Sequence, residues 1–229
     1  MKVFNRRTVF VLCTAMIAAI SVMSSCATNP SAAKAAASVS ASQKTEVLDD
    51  KGAAFGIQTP EWVAAYIIDG NLGVQKLSAY KGKYCFVVEY ADASKDFSTA
   101  WVANASGPQA IAQKVSTTVS SSMSASLDGE KGGDTGANLR SAAESLSNAS
   151  FNGATKDADW WQTVRNTTTD VIETRSWALW TINQKQLDEQ VAANIQNIID
   201  NNTTMSAAER AIYTDLIRQI REVGGIVNS

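Results

Sequence analysis

Histidine is absent from this 229-residue chain, and cysteine and proline occur only three times each. Without histidine there is no Ser-His-Asp triad, no imidazole base and no histidine-containing zinc site. A nucleophilic cysteine would lack its usual histidine partner as well. Carboxylates remain as possible catalytic groups. Two pairs of aspartates, Asp49/Asp50 and Asp157/Asp159, are close in sequence, but no other feature indicates a catalytic pair. A solvated ion pair is predicted for Glu173 and Arg175, which lie two residues apart on a strand. The sequence therefore predicts a protein that is not an enzyme and carries no cofactor.

Charge is also sparse, and positive charge is not concentrated after residue 25. Charged residues make up 18% of the chain and apolar residues 45%, which is typical of a globular protein. No basic face for nucleic acid is visible, so nucleic acid is not expected as a partner. The loop 128–135 is rich in glycine and acidic residues, but it lacks the ligand order and the closing glutamate of an EF-hand. No metal site is predicted.

The first 26 residues have the pattern of a bacterial lipoprotein signal. Three basic residues precede an uncharged apolar run over residues 8–23, and Ser24 and Ser25 lead into Cys26. This order indicates a secretory signal, and its end resembles a lipobox, in which the cysteine is acylated. We expect residues 1–25 to be removed and Cys26 to carry palmitate or a similar lipid. An ordinary cleaved signal or an N-terminal membrane helix are the alternatives, although the run of about 16 residues is shorter than the roughly 20 of a spanning helix.

Residues 26–52 follow as an Ala/Ser-rich segment, which predicts a flexible tether of roughly 25–30 Å. We expect one folded domain over residues 53–229. The lipid would make the membrane a partner. Ala27 is not the aspartate that is linked with inner-membrane retention in some bacteria, so the outer membrane is preferred over the inner one.

Cys85 is the only cysteine left once Cys13 departs with the signal and Cys26 is acylated. An intramolecular disulfide is then impossible. Since Cys85 lies in the apolar run over residues 84–88, the prediction is a buried, small hydrophobic side chain.

Alternating and continuous apolar residues predict three strands. Residues 84–90 are apolar on both faces, which favours a central strand. Residues 159–182 predict an antiparallel hairpin that turns at residues 166–169.

Helical periodicity covers most of the remaining chain. A short helix should start at Pro60, capped by Thr59. Residues 92–127 predict a long helix, capped by Asp92 or Ser94, on which Phe97, Trp101 and Ala105 share one face. The Gly107-Pro108 pair should kink this helix or split it in two. A short helix around residues 137–146 and two C-terminal helices follow, with capping boxes at Asn183/Gln186 and Ser206/Glu209. The predicted fold class is α+β: a small antiparallel sheet packed by a long kinked helix and by C-terminal helices.

Tryptophan is the informative excess, with six residues. Trp160 and Trp161 are adjacent and Trp177 and Trp180 are three apart, so each pair should point to opposite faces of the sheet. One member of each pair enters the core. The other is covered by the helix over 137–146 or by the C-terminal helix, lies in a subunit interface, or meets a membrane or a hydrophobic ligand. All four residues are therefore candidate interface positions.

The order of elements resembles the LPP-twenty family of bacterial surface lipoproteins. The similarity rests on the opening turn Pro60-Glu61-Trp62-Val63 and on the strand over 177–182 with its following helix over 184–190, and it covers about residues 59–201. The resemblance implies an α+β fold without enzymatic activity and a role as a surface antigen or scaffold piece, in some members assembled into rings around envelope machinery.

The expected function is that of a lipid-anchored cell-envelope lipoprotein with a structural or assembly role, such as a ring-forming accessory of flagellar or other envelope machinery. Its partners would be further copies of the chain, through the Trp-bearing sheet, or other proteins of an envelope complex. The alternative is an envelope binding module for a small hydrophobic ligand or peptidoglycan.

Overall fold

The computed structural model describes residues 45–126 and 134–223. The predicted signal peptide, Cys26, the first part of the tether and most of the glycine-rich acidic loop lie outside these residues. The described chain has an α+β fold, in which helices cover both faces of one four-stranded antiparallel sheet. This confirms the predicted fold class.

The sheet has the strand order β1-β3-β4-β2. Its strands are β1 (Thr45–Asp50), β2 (Lys83–Asp92), β3 (Thr155–Asn166) and β4 (Ile172–Asn183). The hairpin of β3 and β4 confirms the predicted one. Its turn is held by Asn166, whose Oδ1 accepts hydrogen bonds from the backbone N–H groups of Thr168 and Thr169.

Besides two short 3-10 helices, Ala53–Phe55 and Ser78–Tyr80, the described chain has six α-helices. They are α1 (Glu61–Gln75), α2 (Lys95–Asn104), α3 (Gly107–Ser126), α4 (Asp134–Ser147), α5 (Gln184–Asn201) and α6 (Ala207–Val223). Helix α1 is kinked at Asp69 and Gly70, where the backbone is not helical and Gly70 has a φ of 60°. Ser94 caps α2 as expected, since its side chain accepts from the Phe97 N–H. None of the helices in the two described ranges is long and apolar enough to cross a membrane.

Two hydrophobic cores lie on opposite faces of the sheet. The α1-side core is formed by α1 together with side chains of β2, β3 and β4: Trp62, Val63, Val74, Cys85, Trp160, Trp177 and Leu179. The helical core on the other face is larger and joins β2 and β4 to α3, α4, α5 and α6. The sheet is thus the shared middle layer of the fold.

The long helix predicted over residues 92–127 is two helices. Helix α2 ends at Asn104 and α3 begins at Gly107, in front of Pro108. A Cβ built on Gly107 would lie only 2.0 Å from the Trp180 ring, so the new helix starts where glycine lets the backbone touch the indole. The split is one of the two outcomes predicted for the Gly107-Pro108 pair, so two separate helices take the place of one kinked helix.

Strand β2 is an edge strand rather than the predicted central one. Its residues are apolar on both faces because α1 covers one face and α3 the other, not because strands flank it on both sides. On the open edge, the Val87 N–H donates to Asn71 Oδ1 at 2.9 Å, so a side chain of α1 partly protects this edge.

The end of the predicted tether is folded. Residues 45–50 form β1, which pairs with β3, although Val47 and Leu48 remain exposed. The segment is held by backbone pairing, by an ion pair between Lys51 and Asp159, and by the tight contact of Gly52 with the Trp160 ring. Because none of these contacts requires a stripe of apolar side chains, the segment shows no apolar periodicity. The sequence alone therefore indicates a tether.

Candidate functional site

The predicted tryptophan pairs do point to opposite faces, but two of the four side chains are buried. Trp160 and Trp177 are neighbours on β3 and β4, with 6% and 1% of their surface exposed. Helix α1 covers them through Trp62, whereas the sequence suggested α4 or α6 as the cover. One member of each pair is thus buried, as predicted. These two candidate positions do not form an interface surface, because α1, which is distant from them in sequence, covers their face of the sheet.

Trp161 and Trp180 lie on the other face and are only half-buried. The Lys95 Nζ atom sits 3.5 Å from the centroid of the Trp161 ring, a cation–π contact that ties the start of α2 to β3. Trp180 packs against the helical core and under Gly107. Both indoles are engaged by α2 or α3, so neither forms a free aromatic surface.

The exposed aromatic surface is instead on α2. Phe97 and Trp101 share one face of this helix, as predicted, but 54% and 42% of their surfaces are exposed. The face that meets the sheet carries Ser98 and Val102, and the Ser98 hydroxyl lies 2.8 Å from the Ser176 hydroxyl. A small polar residue allows the helix to approach the sheet closely and turns the large aromatics outward. The signal in the sequence was the spacing of four between Ser98 and Val102.

Tyr90 of β2 joins these side chains into an aromatic cluster. The Trp101 and Tyr90 rings are stacked, with centroids 4.6 Å apart and planes 19° apart. The Phe97 ring is tilted against Tyr90 at 5.9 Å. Such contacts favour a single arrangement of the rings, so the cluster is fixed before any ligand arrives.

The cluster borders an open groove of about 690 Å³ between α2, the start of α3 and β2. We call it the aromatic groove. Its walls combine rings, small side chains and carboxamides, and no charged side chain is among the described residues that line it. The lining residues are Val88, Phe97, Ala100, Trp101, Asn104, Ala105, Ser106, Gln109, Ala110 and Gln113.

Several titratable groups outside the groove make ion pairs and hydrogen bonds within the fold. Asp157 accepts a hydrogen bond from Thr181 and forms an ion pair with Lys83. Burial raises the pKa of Asp159, but the nearby Lys51 and Lys156 together outweigh this effect and hold the pKa below its ordinary value. Glu173 and Arg175 form the predicted ion pair at 2.7 Å. Over residues 45–126 and 134–223, no three metal-ligating side chains come together.

Cys85 is fully buried, which confirms its prediction as a small hydrophobic side chain. Burial raises the pKa of its thiol to about 12, and the negative charge of Asp157 adds to this against the opposing effect of Lys83. A thiol with so high a pKa, enclosed between α1 and the sheet, is a poor nucleophile at neutral pH. Among the described residues, the aromatic groove is the feature with exposed aromatic side chains beside a cleft.

A scan against protein-family models and searches of curated proteins and of solved structures each found no match for this chain.

Proposed function

We propose that this protein is a lipid-anchored cell-envelope lipoprotein with a structural role, whose folded domain holds another envelope component near the membrane through the aromatic groove. Three observations support the proposal. The lipobox-like pattern ending at Cys26 supplies the anchor. The resemblance to the LPP-twenty family favours a scaffold role. The aromatic groove supplies a binding surface.

The groove carries the functional part of this proposal. Soluble proteins seldom leave large aromatic side chains exposed together without a use for them. Phe97, Trp101 and Tyr90 form one preformed surface beside a cleft, and its volume falls within the roughly 300–1,000 Å³ typical of ligand sites. A structural protein that tethers a second component requires this combination of an anchor and a docking surface.

Lipidation of Cys26 is tested by metabolic labelling: cells that express the protein are grown in medium that contains a labelled palmitate analogue. We expect the label on the wild type and its loss in Cys26→Ser, with the variant moving from the membrane fraction to the soluble fraction. Cys13→Ser is the matched control and should keep its label. Equal labelling of Cys26→Ser and the wild type would contradict the anchor.

A further inference from the structure

We propose that the aromatic groove binds an uncharged oligosaccharide of N-acetylglucosamine units, a sugar that also occurs in the backbone of a bacterial cell wall. This deepens the proposed function and rests on it for the location of the protein. The described lining combines aromatic rings with carboxamides and carries no charged side chain.

The rings provide a platform for a sugar. A pyranose has one face of C–H groups, which packs against an aromatic face, while its hydroxyl groups point sideways to polar partners. Trp101 is held by its stack on Tyr90, and Phe97 stands beside it. A platform that is already ordered avoids much of the entropy cost of binding.

The carboxamides lie where the edges of such a ring would be. Gln109 and Gln113 are four residues apart on α3 and therefore share a face. Their side-chain amides make no hydrogen bond with any other described residue. Asn104 donates to the Ala100 carbonyl of its own helix, which leaves its side-chain oxygen as an acceptor. A carboxamide has two donors and an acceptor, so it pairs well with an acetamido group, which offers one of each.

The same lining argues against other occupants. A phosphate or a carboxylate-rich peptide would require cations, and none of the described residues that line the groove is charged. An acyl chain would require an enclosed apolar channel rather than an open cleft edged by Asn104, Gln109 and Gln113. Addition of a strand from a second copy to β2 is obstructed at Val87, whose N–H is already held by Asn71.

The test is titration calorimetry on the full chain in a detergent without a sugar headgroup. The probe is a tetramer of N-acetylglucosamine, and a glucose tetramer, which lacks the acetamido groups, is the comparison. We expect the first sugar to bind at least roughly tenfold more tightly than the second. Trp101→Ala should weaken binding of the first by roughly tenfold or more, as expected for a central aromatic contact.

Two further variants sharpen the result. Gln113→Leu should remove the preference for the acetylated sugar, while the sugar can still stack on the aromatic rings. If circular dichroism shows that Trp101→Ala does not fold, Gln113→Leu still tests the proposal. Phe55→Ala removes an aromatic side chain that is 81% exposed and does not line the groove, so it should leave binding unchanged.

The proposal is overturned if the acetylated tetramer does not bind at millimolar concentration, or if Trp101→Ala and Phe55→Ala bind it equally. It is also overturned if Trp101→Ala changes the oligomeric mass measured by light scattering and leaves sugar binding unchanged. That result would show that the groove is a contact between copies of the chain. The palmitate-labelling experiment does not depend on these results. Lipidation of Cys26 and sugar binding in the groove can therefore be disproved independently.

Discussion

At the scale of single residues, the start of α3 depends on one glycine. Gly107 is buried against the Trp180 ring, and a Cβ at this position would lie 2.0 to 2.5 Å from three ring atoms. These distances are far below van der Waals contact, and the neighbour is a rigid indole that packs against the helical core. The residue that splits the predicted long helix therefore also sets how closely α3 approaches β4.

Replacement of Gly107 by alanine should lower the free energy of unfolding by about 1–3 kcal/mol, because the added methyl group overpacks the contact with Trp180. Urea denaturation followed by circular dichroism measures this change. Gly136→Ala on α4 is the control, since a Cβ there meets nothing within 4 Å and should cause no loss. Equal stability of Gly107→Ala and the wild type would show that α3 can move away from Trp180 at no cost.

At the scale of elements, one carboxylate fixes the corner between α5 and α6. Glu209 Oε2 accepts from the Ser206 N–H at 2.7 Å, and the Glu209 N–H donates to the Ser206 hydroxyl. The predicted capping box is thus confirmed. Asn138 of α4 donates to Glu209 Oε1, which joins a third helix to the corner. The other predicted box is only half formed: Asn183 caps α5, whereas the Gln186 side chain donates to the Asn152 carbonyl.

Glu209 should make the stability of this corner depend on pH. Burial raises the pKa of its carboxyl, but the hydrogen bonds from Ser206, Asn138 and Thr135 outweigh this, so the pKa lies below the ordinary 4.5. Because the pKa of Glu209 is lower in the folded chain than the ordinary 4.5, its ionised carboxylate stabilises the folded state fully at pH values above 4.5. This stabilisation is lost as the pH falls through the pKa that Glu209 has in the folded chain.

The variant Glu209→Gln should therefore be less stable than the wild type by about 1–3 kcal/mol at neutral pH, and this difference should shrink as both are acidified. Urea unfolding between pH 7 and pH 3 checks it. Glu222→Gln, which removes an exposed partner of Arg218, should change little at any pH. A loss for Glu209→Gln that stays constant over the range would contradict an ionised Glu209.

At the scale of the whole molecule, two hydrophobic cores share one sheet. Tyr84 and Phe86 face the helical core while Cys85, between them, faces the α1-side core. Since successive residues of a strand point to opposite faces, neither core can lose its strands without exposing the other. The Tyr84 hydroxyl also donates to Asp188 of α5 at 2.8 Å, which fixes the helical layer to β2.

The two cores should consequently unfold together. Trp62→Ala on α1 and Leu187→Ala on α5 should each lower stability, by about 3–5 and 2–5 kcal/mol respectively. Near-ultraviolet and far-ultraviolet circular dichroism should still report a single, coincident transition in urea. Separate transitions in either variant would mean that α1 forms a layer that unfolds on its own.

The class of the fold and most of its elements could be predicted from the sequence. The hairpin, the capped helices and the burial of Cys85 follow from local signals, namely apolar periodicity, turn residues and caps, which act within a few positions of the chain. The expectations for residues 1–44 also come from local pattern alone and remain predictions.

Which surfaces are covered could not be predicted in this way, because it depends on contacts between elements that are distant in sequence. Trp160 and Trp177 are buried because α1, distant in sequence, packs on their face, and β1 forms because β3 offers a pairing edge. Phe97 and Trp101 are exposed because Ser98 lets α2 approach the sheet by its other side. Periodicity shows which residues share a face, but the face that is buried depends on what packs against it, and that is a property of the folded chain.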